Sequence, residues 1–120
     1  MGDFKNLLAY KKAYELAMEI FEISKGFPAE EKYSLTDQVR RSSRSVCANF
    51  AEAFYRRKYT AHFLSKLTDA DTENAETGVW LDFAFSCKYT AQDANSRLTY
   101  KNREVGKILG DMIKNPGKYI

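Results

Sequence analysis

The chain has 120 residues and a net charge of +3, with 29% charged residues of both signs and 44% hydrophobic ones. That suits one domain over residues 1–120 with one core, and it is too weakly basic to argue for nucleic acid by net charge alone. Two cysteines and one histidine cannot build a usual zinc site, and no apolar run approaches a membrane span.

The N-terminus, Met1-Gly2-Asp3-Phe4-Lys5, lacks the shape of a signal peptide, and Asn6 stands where a myristoylation motif needs Ser or Thr. The expectation is a cytoplasmic protein with reduced thiols. Ala13, Leu16, Ile20, Ile23 and Phe27 recur at helical spacing and predict a first helix that stops at Gly26-Phe27-Pro28. Ser34 to Asp37 reads as a capping box opening a second helix, with Val39, Ser43, Val46, Phe50 and Ala53 on its inner face.

The phase resets at Lys58-Tyr59-Thr60, where Thr60 is a candidate N-cap. Phe63, Leu67, Ala70, Asn74, Thr77, Leu81 and Ala84 then continue the three-four rhythm. Thr90 to Asp93 reads as another capping box, before a fourth stretch carrying Leu98, Val105, Ile108, Leu109 and Met112 and ending at Asn115-Pro116-Gly117. No segment alternates with period two for long enough to make a strand. The fold class is all-α, an antiparallel up-down-up-down four-helix bundle. Gly78, Gly106 and Gly110 weaken their helices, and close helix approach is the expected compensation.

Trp80, Phe83 and Phe85 on helix three, and Tyr10, Tyr14 and Phe21 on helix one, exceed the stripe that one bundle buries. A second buried face, and so a homo-oligomer, is one reading; rings reaching round to the core is the other. Paired carboxylates, a nucleophile–His pair and a glycine-rich phosphate loop are absent from the pattern, so neither catalysis nor a cofactor is expected. His62 reads as a surface residue, and Cys47 and Cys87 as small hydrophobes.

Charge is distributed unevenly. Eight basic residues face two acids between Lys32 and Lys66, while Asp69, Asp71, Glu73, Glu76 and Asp82 come next without a base. A helix hairpin turning at Lys58-Tyr59 puts residues whose numbers sum to about 117 level with each other. Arg41 then faces Glu76, Arg44 lies level with Glu73, and Arg40 stands one residue from Glu76. Arg40 and Arg41 are therefore expected in structural pairs with the helix-three acids, and Arg44 stays open. Glu52 is expected to pair with Arg56 four residues on. Asn49 is expected to hydrogen-bond across the bundle. Arg57 and Lys58 have no acid opposite, and Tyr55 and Tyr59 beside them could stack on bases. Arg44, Tyr55, Arg56, Arg57, Lys58 and Tyr59 are thus the candidate nucleic-acid contacts, set against the alternative of a solvated helix end.

Several motifs form an ordered series: Phe4-Lys5-Asn6-Leu7, Tyr10-Lys11-Lys12-Ala13, Phe27-Pro28 with Glu31 and Tyr33-Ser34-Leu35, then Gln38-Val39-Arg40-Arg41-Ser42-Ser43 and Ser45-Val46 to Ala53. The series resembles the 23S ribosomal RNA intervening-sequence proteins, also called S23 ribosomal proteins. Tyr10-Lys11 stands where that family often has Trp-Gln, Ala53 where it has Gly, and Asn74 where it has a further Glu. The resemblance implies a four-helix bundle assembled as a homopentamer, with no known enzymatic activity. It also implies kinship to the basic pentameric accessory proteins of diversity-generating retroelements, which bind nucleic acid and a reverse transcriptase. The leading expectation is a non-enzymatic, ring-like homo-oligomer, pentameric by the resemblance, that binds RNA or DNA through the end of helix two. The alternative is an oligomeric scaffold for a protein partner, with the arginines used in salt bridges.

Overall fold

The computed structural model describes residues 7–119. Phe4, Lys5 and Asn6, which carry part of the resemblance and the failed myristoylation motif, lie outside the described residues. Four helices succeed one another: α1 (Leu8–Ser24), α2 (Leu35–Tyr55), α3 (Thr60–Ser86) and α4 (Gln92–Lys114), with short 3-10 turns at Ala29–Glu31 and Pro116–Lys118. Among the described residues there is no strand, and no helix is long and apolar enough to cross a membrane. The 44 Å length of the molecule is close to the span of α3, whose 27 residues rise about 40 Å.

Contacts between helices run in opposite chain directions. Arg41 meets Glu76 and Glu52 meets Lys66 across α2 and α3, while Lys12 meets Glu104 and Glu19 meets Arg97 across α1 and α4. Every expected inner residue of α3, from Phe63 to Ala84, is buried. Ile23 and Ile108 are only half-buried, at the margins of their stripes.

The core is two apolar clusters. Ala9, Phe50, Phe63, Leu67 and Leu109 belong to one, and Leu16, Ile20, Val39, Leu81 and Leu98 to the other. Between them along α2, α3 and α4 lies a belt of polar side chains. The Thr77 and Ser42 hydroxyls share a bond at 2.8 Å, and Thr77 also lies within donating distance of the Glu73 carbonyl at 2.9 Å. Asn74 donates to the Asn102 carbonyl, and Asn102 donates to both the carbonyl and the side-chain oxygen of Asn74, all at 2.9–3.0 Å. Pairing of this kind is what makes the buried Asn74 amide tolerable. The glycines fit this belt. A Cβ on Gly78 would stand 2.7 Å from Asn102 Oδ1 and one on Gly106 3.3 Å from Asn74 Nδ2, but one on Gly110 would meet nothing beyond its own helix within 4 Å among the described residues. Close approach therefore accounts for two glycines and not for the third.

The helix starts differ from expectation. Ser34 does not cap α2 with its hydroxyl; it donates to Glu31 Oε1 at 2.6 Å, and the same oxygen accepts the Leu35 amide at 3.2 Å. The preceding 3-10 turn brings in a carboxylate, a stronger acceptor at a helix N-terminus than a hydroxyl. Thr60 is the first helical residue of α3 and Tyr59 its cap, without a side-chain bond. Thr90 is buried in the joint with its hydroxyl unpaired among the described residues, and α4 starts two residues later. That joint is set by Lys88, whose φ of 65° accompanies bonds from its own amide to Phe85 and from the Tyr89 amide to Ala84. This is a Schellman ending with lysine at the position usually taken by glycine.

Tyr89 then donates to Glu31 Oε2 at 2.9 Å, tying this joint to the start of α2. Bonds from Ser34, Tyr89 and the Leu35 amide hold the Glu31 carboxyl below its ordinary 4.5. The bond to Glu31, with some burial, pushes the Tyr89 hydroxyl up to about 12.

Substitution tests both the packing and these ties. Gly78→Ala should lower stability by about 1 kcal/mol, because displacing Asn102 breaks buried bonds worth more than the helix propensity gained. Gly110→Ala should raise it by up to about 1 kcal/mol; urea denaturation giving both changes the same sign would contradict the packing assignment. A lowered carboxyl contributes stability above its unfolded value and loses it as pH falls through its folded one. The deficit of Glu31→Gln in melting temperature should therefore be full at pH 7 and shrink below pH 4.5. The raised Tyr89 contributes fully below pH 10 and loses its share as pH rises through about 12, so the deficit of Tyr89→Phe should shrink on that side.

Candidate nucleic-acid interface

Successive residues of a helix point about 100° apart, so neighbouring arginines on α2 meet different surroundings. Arg41 turns to α3 and binds Glu76 at 2.8 Å and Glu73 at 3.5 Å, as the hairpin register predicts. Trp80 Nε1 donates to the same Glu76 oxygen at 3.2 Å, fixing the carboxylate from its own helix. Glu73 keeps its second oxygen buried and without a hydrogen-bond partner among the described residues.

Arg40 is not answered by the helix-three acids. It turns to α1, where Nε donates to Ser24 Oγ at 2.7 Å and the guanidinium lies 4.9 Å from the centre of the Phe21 ring. Arg44, one turn on, lies 5.6 Å from the same ring and reaches neither Glu73 nor any other carboxylate within 4.0 Å among the described residues. Asn49 does not cross the bundle. It donates to the Ser45 carbonyl of its own helix at 3.0 Å, the nearest acceptor a short amide can reach. Glu52 pairs with Lys66 across the hairpin at 2.8 Å instead of with Arg56. The Lys66 hydrogen bond chiefly lowers the Glu52 carboxyl, and Arg56 adds only a weaker Coulombic share.

At the end of α2, the expected patch divides again. Arg57 is half-buried: its guanidinium lies 3.9 Å from the Phe54 ring centre and donates to the Phe54 carbonyl at 2.8 Å. It caps the helix C-terminus, where exposed carbonyls attract a cation, and is not uncompensated as expected. Arg56 and Lys58 are exposed. Tyr55 and Tyr59 stand out beside them with 75% and 61% of their surface exposed; Tyr55 meets Phe54 edge-on, and Tyr59 meets His62 likewise.

The groups able to do covalent chemistry are dispersed. Burial pushes the Cys47 thiol up to about 11, which disfavours the reactive thiolate. Exposed Cys87 and exposed His62 sit at opposite ends of α3, about 37 Å apart along its axis. Sequence reasoning missed the Asn74–Asn102 pair, although two amides on facing helices were a visible signal. It also passed over Lys32 and Tyr33, which the turn before α2 places beside Arg40 and Arg44.

Arg41→Ala should lower stability by about 1 kcal/mol, since a half-exposed double ion pair is discounted by solvent, and the melting temperature by about 4 °C. Thermal denaturation with no shift would show that the pairs are incidental.

The profile of the 23S rRNA-intervening sequence protein family matches residues 5–111. A crystal structure of a protein of unknown function from the S23 ribosomal protein family, from Bacteroides thetaiotaomicron, superposes with a TM-score of 0.80 at 29% identity. The match covers 89% of this chain and 96% of that one. No curated protein matches the sequence. With the motifs from Gln38 to Ala53 in one helix of a four-helix chain, and a profile match over most of its length, the protein belongs to the 23S rRNA-intervening sequence protein family.

Proposed function

We propose that the chain is a non-enzymatic, up-down-up-down four-helix bundle, which forms a ring-like homo-oligomer, pentameric by the family resemblance, and binds RNA or DNA. The observation that carries the nucleic-acid reading is the end of α2. There Arg56 and Lys58 stand exposed next to two exposed tyrosine rings, while Glu73 and Glu76 of α3 are engaged by Arg41 further along the helix. Cations attract phosphates by counterion release, and tyrosine faces stack on unpaired bases. Two cations per chain make a weak contact, and repeating them around a ring makes a useful one. The opposite chain directions of the helix contacts support the bundle arrangement. Phe83 and Phe85, both exposed on α3, support a further buried face between subunits.

The second reading is an oligomeric scaffold for a protein partner. It is favoured by Arg41 and Arg57, both engaged within the chain.

Binding of a structured RNA across about 50 to 200 mM salt tests the first reading. The expected result is a steep negative slope that flattens by about one unit for each phosphate freed in Arg56→Ala and Lys58→Ala. No binding at low salt by a chain of verified oligomeric mass would leave the scaffold reading.

A further inference from the structure

The upper half of α2 holds a second cationic feature, separate from its end. Arg40 and Arg44, one turn apart, both lie against the single Phe21 ring of α1. Neither has a carboxylate within 4.0 Å among the described residues, whereas Arg41 between them has two. Holding two like charges together without an acid costs free energy, and an anion bound between them would recover it.

Arg40 and Arg44 line a groove of about 580 Å³, to which Lys32 adds a third cation and Asp37 the only acid of its lining. With Arg41 neutralised by α3, three cations face one carboxylate. Arg40 uses Nε on Ser24, which leaves its two terminal nitrogens for a ligand. A planar guanidinium edge of that kind matches two oxygens of a phosphate.

Arg44 and Ala48 also line a second groove, of about 350 Å³, that continues between α1 and α2. Its walls are apolar and aromatic: Tyr10 and Tyr14 stack with ring centres 6.0 Å apart and planes 26° from parallel, and Met18 lies next to them. Tyr14 is 52% exposed, so one part of its ring surface is open to a ligand. The groove exists because Ala17, Ala48 and Ala51 leave the space between the helices unfilled. Tyr14 lies seven residues from Phe21, about 10 Å along α1. A site for a charged group and a shelf for a flat ring therefore share Arg44 and Ala48 as a common edge.

We propose that this joined groove binds a nucleotide, its phosphate on Arg40 and Arg44 and its base on Tyr14. Phosphate and planar base in one ligand account for both halves, which an inorganic anion or an apolar ring alone would not. The chemistry is the same for a free nucleotide and for one unit of a single-stranded RNA. The site is independent of Arg56 and Lys58, so it stands or falls apart from the contact at the end of α2.

The test is NMR titration of the whole labelled chain with 5′-AMP, adenosine, inorganic phosphate and a short single-stranded RNA, monitoring arginine Nε–Hε and tyrosine ring resonances. AMP should move the signals of Arg40, Arg44 and Tyr14 together. Phosphate should move only the arginines and bind several-fold more weakly than AMP. Arg44→Ala should weaken AMP about tenfold, the cost of removing one charge-assisted hydrogen bond. Ala48→Leu, which keeps every charge and fills the groove, should weaken it as well. Both positions are exposed, and melting temperatures check that the variants fold. RNA that moves the same Arg40, Arg44 and Tyr14 signals at least tenfold more tightly than AMP would assign the site to a strand, and comparable affinities there to a free nucleotide. The proposal is overturned if AMP leaves Arg44 and Tyr14 unmoved, if phosphate binds as well as AMP, or if Ala48→Leu binds AMP unchanged. AMP reports on this groove whether or not structured RNA binds elsewhere, so the two readings fail separately.

Discussion

The polar belt between the two apolar clusters governs the rest of the structure. Leucine and alanine stripes alone would let four helices slide past one another by a turn at little cost, because one apolar contact replaces another. Asn74 and Asn102 remove that freedom, since a slip would leave buried amides without partners. Gly78 and Gly106 let α3 and α4 come close enough for those bonds to form. Ser42 and Thr77 do the same for α2 and α3 with two small hydroxyl side chains. Register is thus set by hydrogen bonds in the middle of the molecule, and the arrangement of surface groups depends on it.

The division of the cations on α2 is the first consequence. With the register fixed, Arg41 falls opposite Glu73 and Glu76, and Glu52 opposite Lys66. Arg40 and Arg44 fall on the α1 side, where α1 offers a phenylalanine and a serine in place of an acid. Arg57 turns back on its own helix end. One run of basic sequence is therefore split among an ion pair, a cap, a cation pair on an aromatic ring and two exposed side chains. Only the last two groups have charge to offer a ligand.

Much of the fold was legible because helical periodicity is a local property. The buried positions of α3 follow from spacing alone, and the joint at Lys58-Tyr59 placed Arg41 against Glu76 correctly. The candidate site was legible only in part. Arg57 looked free because a cation at a helix end can turn to solvent or to its own carbonyls, and spacing does not distinguish these. Glu52 had one cation four residues along its helix and another across the hairpin, and the cross-hairpin lysine won. Glu31 displaced Ser34 as the cap of α2 because a 3-10 turn, invisible as a periodicity, carried a carboxylate to the helix start.

By itself, the sequence determined the helical class, the number of helices, their inner faces and the hairpin register. Each of these rests on which residues recur every three or four positions and on where the chain turns. The tertiary structure decided which cation meets which partner, and that a groove along α1 and α2 joins two arginines to a tyrosine shelf. Those outcomes depend on the rotation of α1 against α2 and on the space left by three alanines. No residue's neighbours in the chain carry that information.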